Sequence, residues 1–191
     1  MVEDRDIEYA AGKDDVVAVL LHQHVRIREL FAEVKGAEGE SRQRAFDELR
    51  VLLAAHETAE EMVVRPATRR AAGDDVADAR NHEEDAANQA LAELEKLDVD
   101  SAEFRRGFAE FEKAVVAHAE REEAEEFPRL RRKVSREERL QMAESLVAAE
   151  RIAPTHPHPS TAGSTTAQWA VGPFVSLVDR ARDALKSAMP G

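Results

Sequence analysis

Apolar residues recur at the 3.6-residue period of an α-helix in four successive segments, and no stretch alternates with the two-residue period of a strand. The first segment, from about Asp14 to Lys35, aligns Val16, Val17, Leu20, His24, Ile27, Leu30 and Phe31 before Gly36 to Gly39 breaks it. The second opens near Ser41, a suitable N-cap, and carries Phe46, Leu49, Leu52, Leu53, His56 and Glu60 towards Pro66 and Gly73. Pro66 is expected to kink or end it. The third opens at Asp74 or Asp75 with a stripe of mostly small residues: Val76, Ala79, His82, Ala86, Ala90, Leu94 and Leu97. The fourth follows a turn at Asp98 to Ser101, stacks Phe104, Phe108, Phe111, Val115, His118 and Glu122, and ends near Pro128 or shortly past it. Ser135-x-x-Glu138 is a capping box that should open a shorter fifth helix to about Arg151.

Four amphipathic segments with short connections predict an all-α, up-down-up-down four-helix bundle with additional C-terminal helices. The expected organisation is an N-terminal arm over 1–13, the bundle with its short fifth helix over 14–152, and a Pro, Ser and Thr-rich linker over 153–173. An amphipathic helix over 174–191 completes it, able to dock on the bundle or on a protein partner. No internal repeat stands out.

With no cysteine among 191 residues, disulfides, thiolate metal sites and iron–sulfur clusters are excluded. Any metal would be held by His, Asp and Glu. The chain begins with charged residues and has no apolar run approaching about 18 residues, so neither a signal peptide nor a membrane span is expected, and the cytoplasm is the default address. A net charge of −12, from 27 basic against 39 acidic side chains, argues against a nucleic-acid surface.

His24, His56, His82 and His118 fall one to a segment, and two carry a glutamate four residues on: His56-x-x-x-Glu60 and His118-x-x-x-Glu122. Residues at i and i+4 share a helix face, so each pair can offer an imidazole nitrogen and a carboxylate oxygen to one ion. Both glutamates continue an apolar stripe, where a charge is costly unless paired or bound to metal. In an antiparallel bundle, residues equally far from a connecting loop sit at one height. The midpoint of His24 and His56 is residue 40, beside the first loop, and the midpoint of His82 and His118 is residue 100, inside the third. The midpoint of His56 and His82, residue 69, falls about four residues short of Gly73, an offset of about 10 Å. A helical rise shortened at Pro66 would mend this, and so would a ligand slightly later than His82, for which Asp85, one turn on, is the candidate. His22 lies about 200° around the helix from His24 and should be exposed. His156 and His158 lie in the linker, where surface decoration is the simplest reading.

The residues resemble a known family. Leu20-Leu-His-Gln-His-Val-Arg-Ile-Arg-Glu-Leu-Phe31, His56-Glu-Thr-Ala-Glu-Glu61, His82-Glu-Glu-Asp85 with Leu91-Ala-Glu-Leu-Glu95, and His118-Ala-Glu-Arg-Glu-Glu-Ala-Glu-Glu-Phe-Pro128 are similar to the hemerythrin-like proteins of the HHE cation-binding group, in their actinobacterial type. The likeness covers about Asp14 to Leu130. It implies a four-helix bundle around two iron ions, oxo- or hydroxo-bridged, with His24, His56, Glu60, His82, His118 and Glu122 as ligands by position and Asp85 as a further one. Oxygen carriers of the family have a second histidine where this chain has Ala86, and a fourth-helix carboxylate where it has Glu123; the HHE group uses the position of Glu122. The resemblance further implies binding of O2, H2O2 or NO, and oxidant handling such as catalase-like decomposition of peroxide. A non-catalytic gas or redox sensor acting through a partner is the alternative. Tyr9 and Trp169 both lie outside the expected bundle, which leaves no aromatic radical relay beside the centre.

Overall fold

The computed structural model describes residues 14–153. The arm over 1–13, the linker beyond Ala153 with His156 and His158, and the helix expected over 174–191 lie outside the described residues. Within them the chain is all-helical. Helix α1 spans Val16–Gly36, α2 Gly39–Ala59, α3 Arg65–Ala72, α4 Asp74–Leu94, α5 Ala102–Arg121, α6 Phe127–Lys133 and α7 Arg136–Ile152. A π-helical segment, Glu60–Val64, joins α2 to α3, and a second, Glu122–Glu126, joins α5 to α6. The bundle therefore has four rods: α1, the continuous α2–α3, α4, and the continuous α5–α6. No helix among the described residues is long and apolar enough to cross a membrane.

Local chemistry sets three of the helix starts. The carboxylate of Asp15 accepts from the Ala18 N–H, Ser101 Oγ from the Phe104 N–H, and Ser135 Oγ from the Glu138 N–H. The second rod starts two residues before the expected Ser41 for a tertiary reason. Gly39 has φ +56°, a left-handed conformation that reverses the chain at once after α1, and its N–H donates to the Asp100 carboxylate from the opposite loop. Pro66 does not end the rod. A proline has no N–H and its ring crowds the carbonyl four residues back. The turn before it widens instead, with the Arg65 N–H donating to the Glu60 carbonyl, and the helix runs on to Ala72.

Two apolar clusters fill the bundle. One gathers Ile27, Leu30, Phe31, Phe46, Leu49, Leu53, Leu91, Phe104, Phe108 and Phe111, and the other gathers Val16, Leu20, Met62, Phe127, Leu130, Met142 and Leu146. Along three of the rods the residues between the clusters are polar: His24 on α1, His56 and Glu60 on the second rod, His118 and Glu122 on the fourth. The second cluster depends on α7, which packs on α1 and α2 and buries Met142, Ala143, Leu146 and Ala149. Leu146→Ala, at a fully buried position, should cost about 2–5 kcal/mol in urea denaturation. A loss under about 1 kcal/mol would mean that α7 is not part of the folding unit.

The face that α4 turns inward differs from the expected one by one residue. Ala77, Arg80, Glu84, Ala87, Leu91 and Leu94 are buried, whereas Ala79, His82, Ala86 and Ala90 are exposed. A step of one residue rotates a helix by about 100°. Alanines on both faces make the stripes nearly equal in hydrophobicity, and Leu91 packing among Phe and Leu side chains decides between them.

Candidate metal centre

Two overlapping sets of donor atoms meet at mid-height. His24, His56, Glu60 and Glu122 form one, and Glu60, Glu84, His118 and Glu122 the other, with the atoms of each set within 4.8 Å of one another. Glu60 and Glu122 belong to both. Glu122 divides its oxygens: Oε2 lies 3.4 Å from His24 Nε2 and Oε1 lies 3.2 Å from His118 Nε2. His56 Nε2 lies 3.6 Å from Glu60 Oε2, and His118 Nε2 lies 3.7 Å from Glu84 Oε1. Glu60 and Glu122 are completely buried, and His118, at 13 %, is the most exposed member.

The outer ring nitrogens are satisfied and the inner atoms are not. His24 Nδ1 lies 2.9 Å from Glu123 Oε1, which Arg28 also holds, and His118 Nδ1 lies 2.9 Å from a Glu83 oxygen, with Arg121 ion-paired to the other oxygen of Glu83 at 2.9 Å. His56 Nδ1 lies 2.7 Å from the side-chain oxygen of Gln23. Such partners turn each Nε2 inward and favour the tautomer that leaves it a lone pair. Facing inward, His24 Nε2, His118 Nε2, both oxygens of Glu60, Glu84 Oε2 and Glu122 Oε2 are buried without a hydrogen-bond partner. Buried acceptors in that number are costly, and converging cations satisfy them at once. A set of imidazoles and carboxylates without thiolate suits iron, manganese or zinc. The residues present fit a bound metal.

The π-helical segments build the roof of this centre. An i→i+5 turn sets residue i+5 above residue i, so Arg65 comes to lie over Glu60 and Phe127 over Glu122. Phe127 stacks on the His24 ring, with centroids 5.6 Å apart. Arg65, itself buried, reaches Glu84 and Glu126 directly and lies 3.5 Å from Glu122 and 3.9 Å from Glu60. Thr68 Oγ1 donates to Glu126. Both segments arise from one pattern, His-x-x-x-Glu-Glu-x-x-x-x-Pro, at 56–66 and again at 118–128. This short repeat is visible in the sequence, although helical periodicity alone does not single it out.

The hemerythrin HHE cation-binding domain matches residues 15–130, well over half of the chain. The chain belongs to the hemerythrin HHE family. An uncharacterised hemerythrin-like protein of Schizosaccharomyces pombe is 28 % identical over 137 residues, covering 70 % of this chain and 68 % of that protein. The crystal structure of a hemerythrin HHE cation-binding domain-containing protein from Mycobacterium kansasii shares the fold, with a TM-score of 0.66 and 22 % identity, over 86 % of this chain and 98 % of the other.

Within this HHE domain the sequence expectations meet the structure unevenly. His24, His56, Glu60, His118 and Glu122 come together. His82 does not: it is exposed on the outer face of α4. Asp85 is half-buried and accepts a hydrogen bond from Gln89 on the same helix, away from the cluster. Glu84 stands where the third rod meets the other donors, two residues and about 200° from His82. Glu84 also matches Glu60 in height: their midpoint is residue 72, next to Gly73. Glu123, the alternative to Glu122, sits behind His24 and outside both donor sets.

Burial and the neighbouring carboxylates of Glu122 and Glu84 push Glu60 well above the usual carboxylate range. Burial likewise raises Glu84, to about 8, against the opposing pull of Arg65. Burial would also raise Glu122, but His118, His24 and Arg65 hold it well below its ordinary value. Burial would lower His118, yet Glu122, Glu83 and Glu84 raise it well above normal. Burial and the neighbouring His24 lower His56 to about 3.

A pH dependence follows for the metal-free protein. Groups raised on folding, such as Glu84 and His118, stabilise the fold fully below their unfolded values and lose that contribution as pH climbs through the folded ones. His56 is lowered, so its contribution is present above about 6.5 and is lost only as pH falls towards 3. Between about pH 6.5 and 8 only the raised groups change, and metal-free stability should fall. Each proton held in excess by the folded state contributes up to about 1.4 kcal/mol per pH unit. Thermal melts across that window check this: the metal-free midpoint should drop and the metal-loaded one change less, because bound cations keep the carboxylates ionised. A metal-free midpoint that rises with pH would contradict the assignment.

Proposed function

We propose that this HHE protein is a non-haem di-iron protein that binds O2, peroxide or NO and acts in oxidant handling, with catalase-like decomposition of hydrogen peroxide as its activity. The observation that carries the reading is the pair of donor sets joined by Glu60 and Glu122, whose inward oxygens and nitrogens have no other partner. Two shared carboxylates suit a pair of cations held close together, and a set of three imidazoles and three carboxylates supports iron. The proposed ligands are His24, His56, Glu60, Glu84, His118 and Glu122. His82 and Asp85 are left out because α4 turns them away.

A small cavity beside the cluster supports a small ligand. It measures about 20 Å³, enough for a molecule of the size of water or a diatomic gas, and its wall includes Ile27, Leu53, Ala87, Val115 and Ala119 beside the histidines. A bulky organic substrate does not fit. Bound iron would supply the redox change. The protein's own part is to limit the size of what enters with those five apolar side chains, to orient three imidazoles through their Nδ1 partners, and to place the Glu57 carboxyl, whose Oε2 has no partner, in the cavity wall.

Iron analysis of the purified full chain, with its near-ultraviolet absorption and oxygen evolution from hydrogen peroxide, tests the proposal. About two irons per chain and turnover that disappears in His118→Ala would support it. Two irons with reversible oxygen-dependent absorbance but no turnover would favour a sensor, and iron far below stoichiometric would overturn the di-iron reading.

A further inference from the structure

Helix α7 lies beyond the residues matched by the HHE domain, yet it touches the chemistry of the centre through one side chain. Glu150, in its last turn, accepts a 2.5 Å hydrogen bond from Gln23 Nε2, and the Gln23 oxygen lies 2.7 Å from His56 Nδ1. His24 and His118 are each backed directly by a carboxylate, whereas His56 is backed by an amide that a carboxylate holds in turn. Gln23 is buried on α1 beside His24.

We infer that Glu150 is a positioning residue for the metal centre, which locks the Gln23 amide in one orientation and thereby keeps the His56 proton on Nδ1. An amide is ambiguous by itself: its NH2 end donates and its oxygen accepts, and a neutral imidazole nitrogen can meet either. An ionised carboxylate only accepts, so the NH2 of Gln23 must face Glu150. Its oxygen then faces His56 and can only receive a proton from Nδ1. Nε2 is left with its lone pair, on the side where Glu60 lies 3.6 Å away. Reversing the amide would set oxygen against carboxylate at one end and offer N–H to Nδ1 at the other, moving the imidazole proton to Nε2 and removing a ligand. Burial raises Glu150 to about 7, with Gln23 opposing the shift, so the ionised acceptor is available from neutral pH upward.

The relay rests on the metal reading for its purpose but not for its existence, because the tautomer can be read without metal. Nitrogen-15 NMR of the histidine rings in the metal-free full chain at pH 8, with His56 assigned from a His56→Gln spectrum, should show His56 protonated on Nδ1. In Glu150→Ala a substantial share of the signal should move to the Nε2-protonated form, and ferrous iron affinity, measured by competition with a chromophoric chelator, should fall about tenfold. Glu144→Ala, an exposed glutamate on the same helix, should change neither. Should Glu150→Ala not fold, the isosteric Glu150→Gln decides: its amide permits both orientations of Gln23, and a mixture of tautomers is expected. Wild-type tautomer and affinity in the folded Glu150 variants would overturn the inference. Wild-type protein that binds no iron while the tautomer still responds to Glu150 would sink the metal reading and leave the relay standing.

Discussion

Glu60→Gln should abolish paired metal binding while leaving the metal-free protein as stable as before, or more so. Glu60 contributes an oxygen to both donor sets, so its loss weakens both positions together. A neutral amide oxygen is a poor substitute for a bridging carboxylate. On the proposed di-iron reading, affinity should fall by more than the roughly 10–100-fold typical of losing a group behind a ligand, and iron content should drop from about two to below one per chain. Stability moves the other way. Burial beside Glu122 and Glu84 pushes Glu60 well upward, so the metal-free fold already favours its neutral form, and Gln supplies a neutral group of the same size. Metal analysis and urea denaturation of the metal-free protein give the two readouts. A variant that keeps two irons would show that Glu60 is not a shared ligand, and a markedly destabilised metal-free form would show that Glu60 is not neutral there.

Arg65→Leu should strongly destabilise the metal-free fold. Its guanidinium is buried and pairs with Glu84 and Glu126 while facing Glu60 and Glu122. Deleting one partner of a buried ion pair leaves the other charge uncompensated, at about 3–5 kcal/mol. Here several carboxylates lose the same cation. Lysine should not rescue fully, because a point charge cannot span Glu84 and Glu126 as a planar fork does. Bound metal should recover part of the loss by taking Glu84. Chemical denaturation of Arg65→Leu and Arg65→Lys with and without metal measures each contribution. A loss under about 1 kcal/mol without metal would remove Arg65 from any electrostatic role in the site.

Where the chain was legible, the signal was physical redundancy. Phe104, Phe108 and Phe111, or Leu49 and Leu53, repeat one face so often that no other helix orientation buries them. His56 with Glu60, and His118 with Glu122, continue those stripes, which gave five of the six cluster members together with His24. The sixth was hidden because α4 has an alanine-rich surface with little hydrophobic contrast, and His82 falls on the face that the helix turns outward. Arg65 was hidden for another reason. An α-helical projection places Arg65 well off the face of Glu60, and only the widened turn brings it round.

The amino-acid order by itself determined an all-helical bundle, the absence of thiolate chemistry, and two His-x-x-x-Glu pairs on buried stripes, because those depend on local period and side-chain chemistry. Tertiary structure decided the rest: the rotation of α4 that presents Glu84 and withdraws His82, the capping of Gly39 by Asp100, and the reach of Glu150 through Gln23 to His56. Each of these joins residues far apart in the chain, and their relative placement is set by how rods pack against Phe and Leu layers, which no single segment's periodicity encodes.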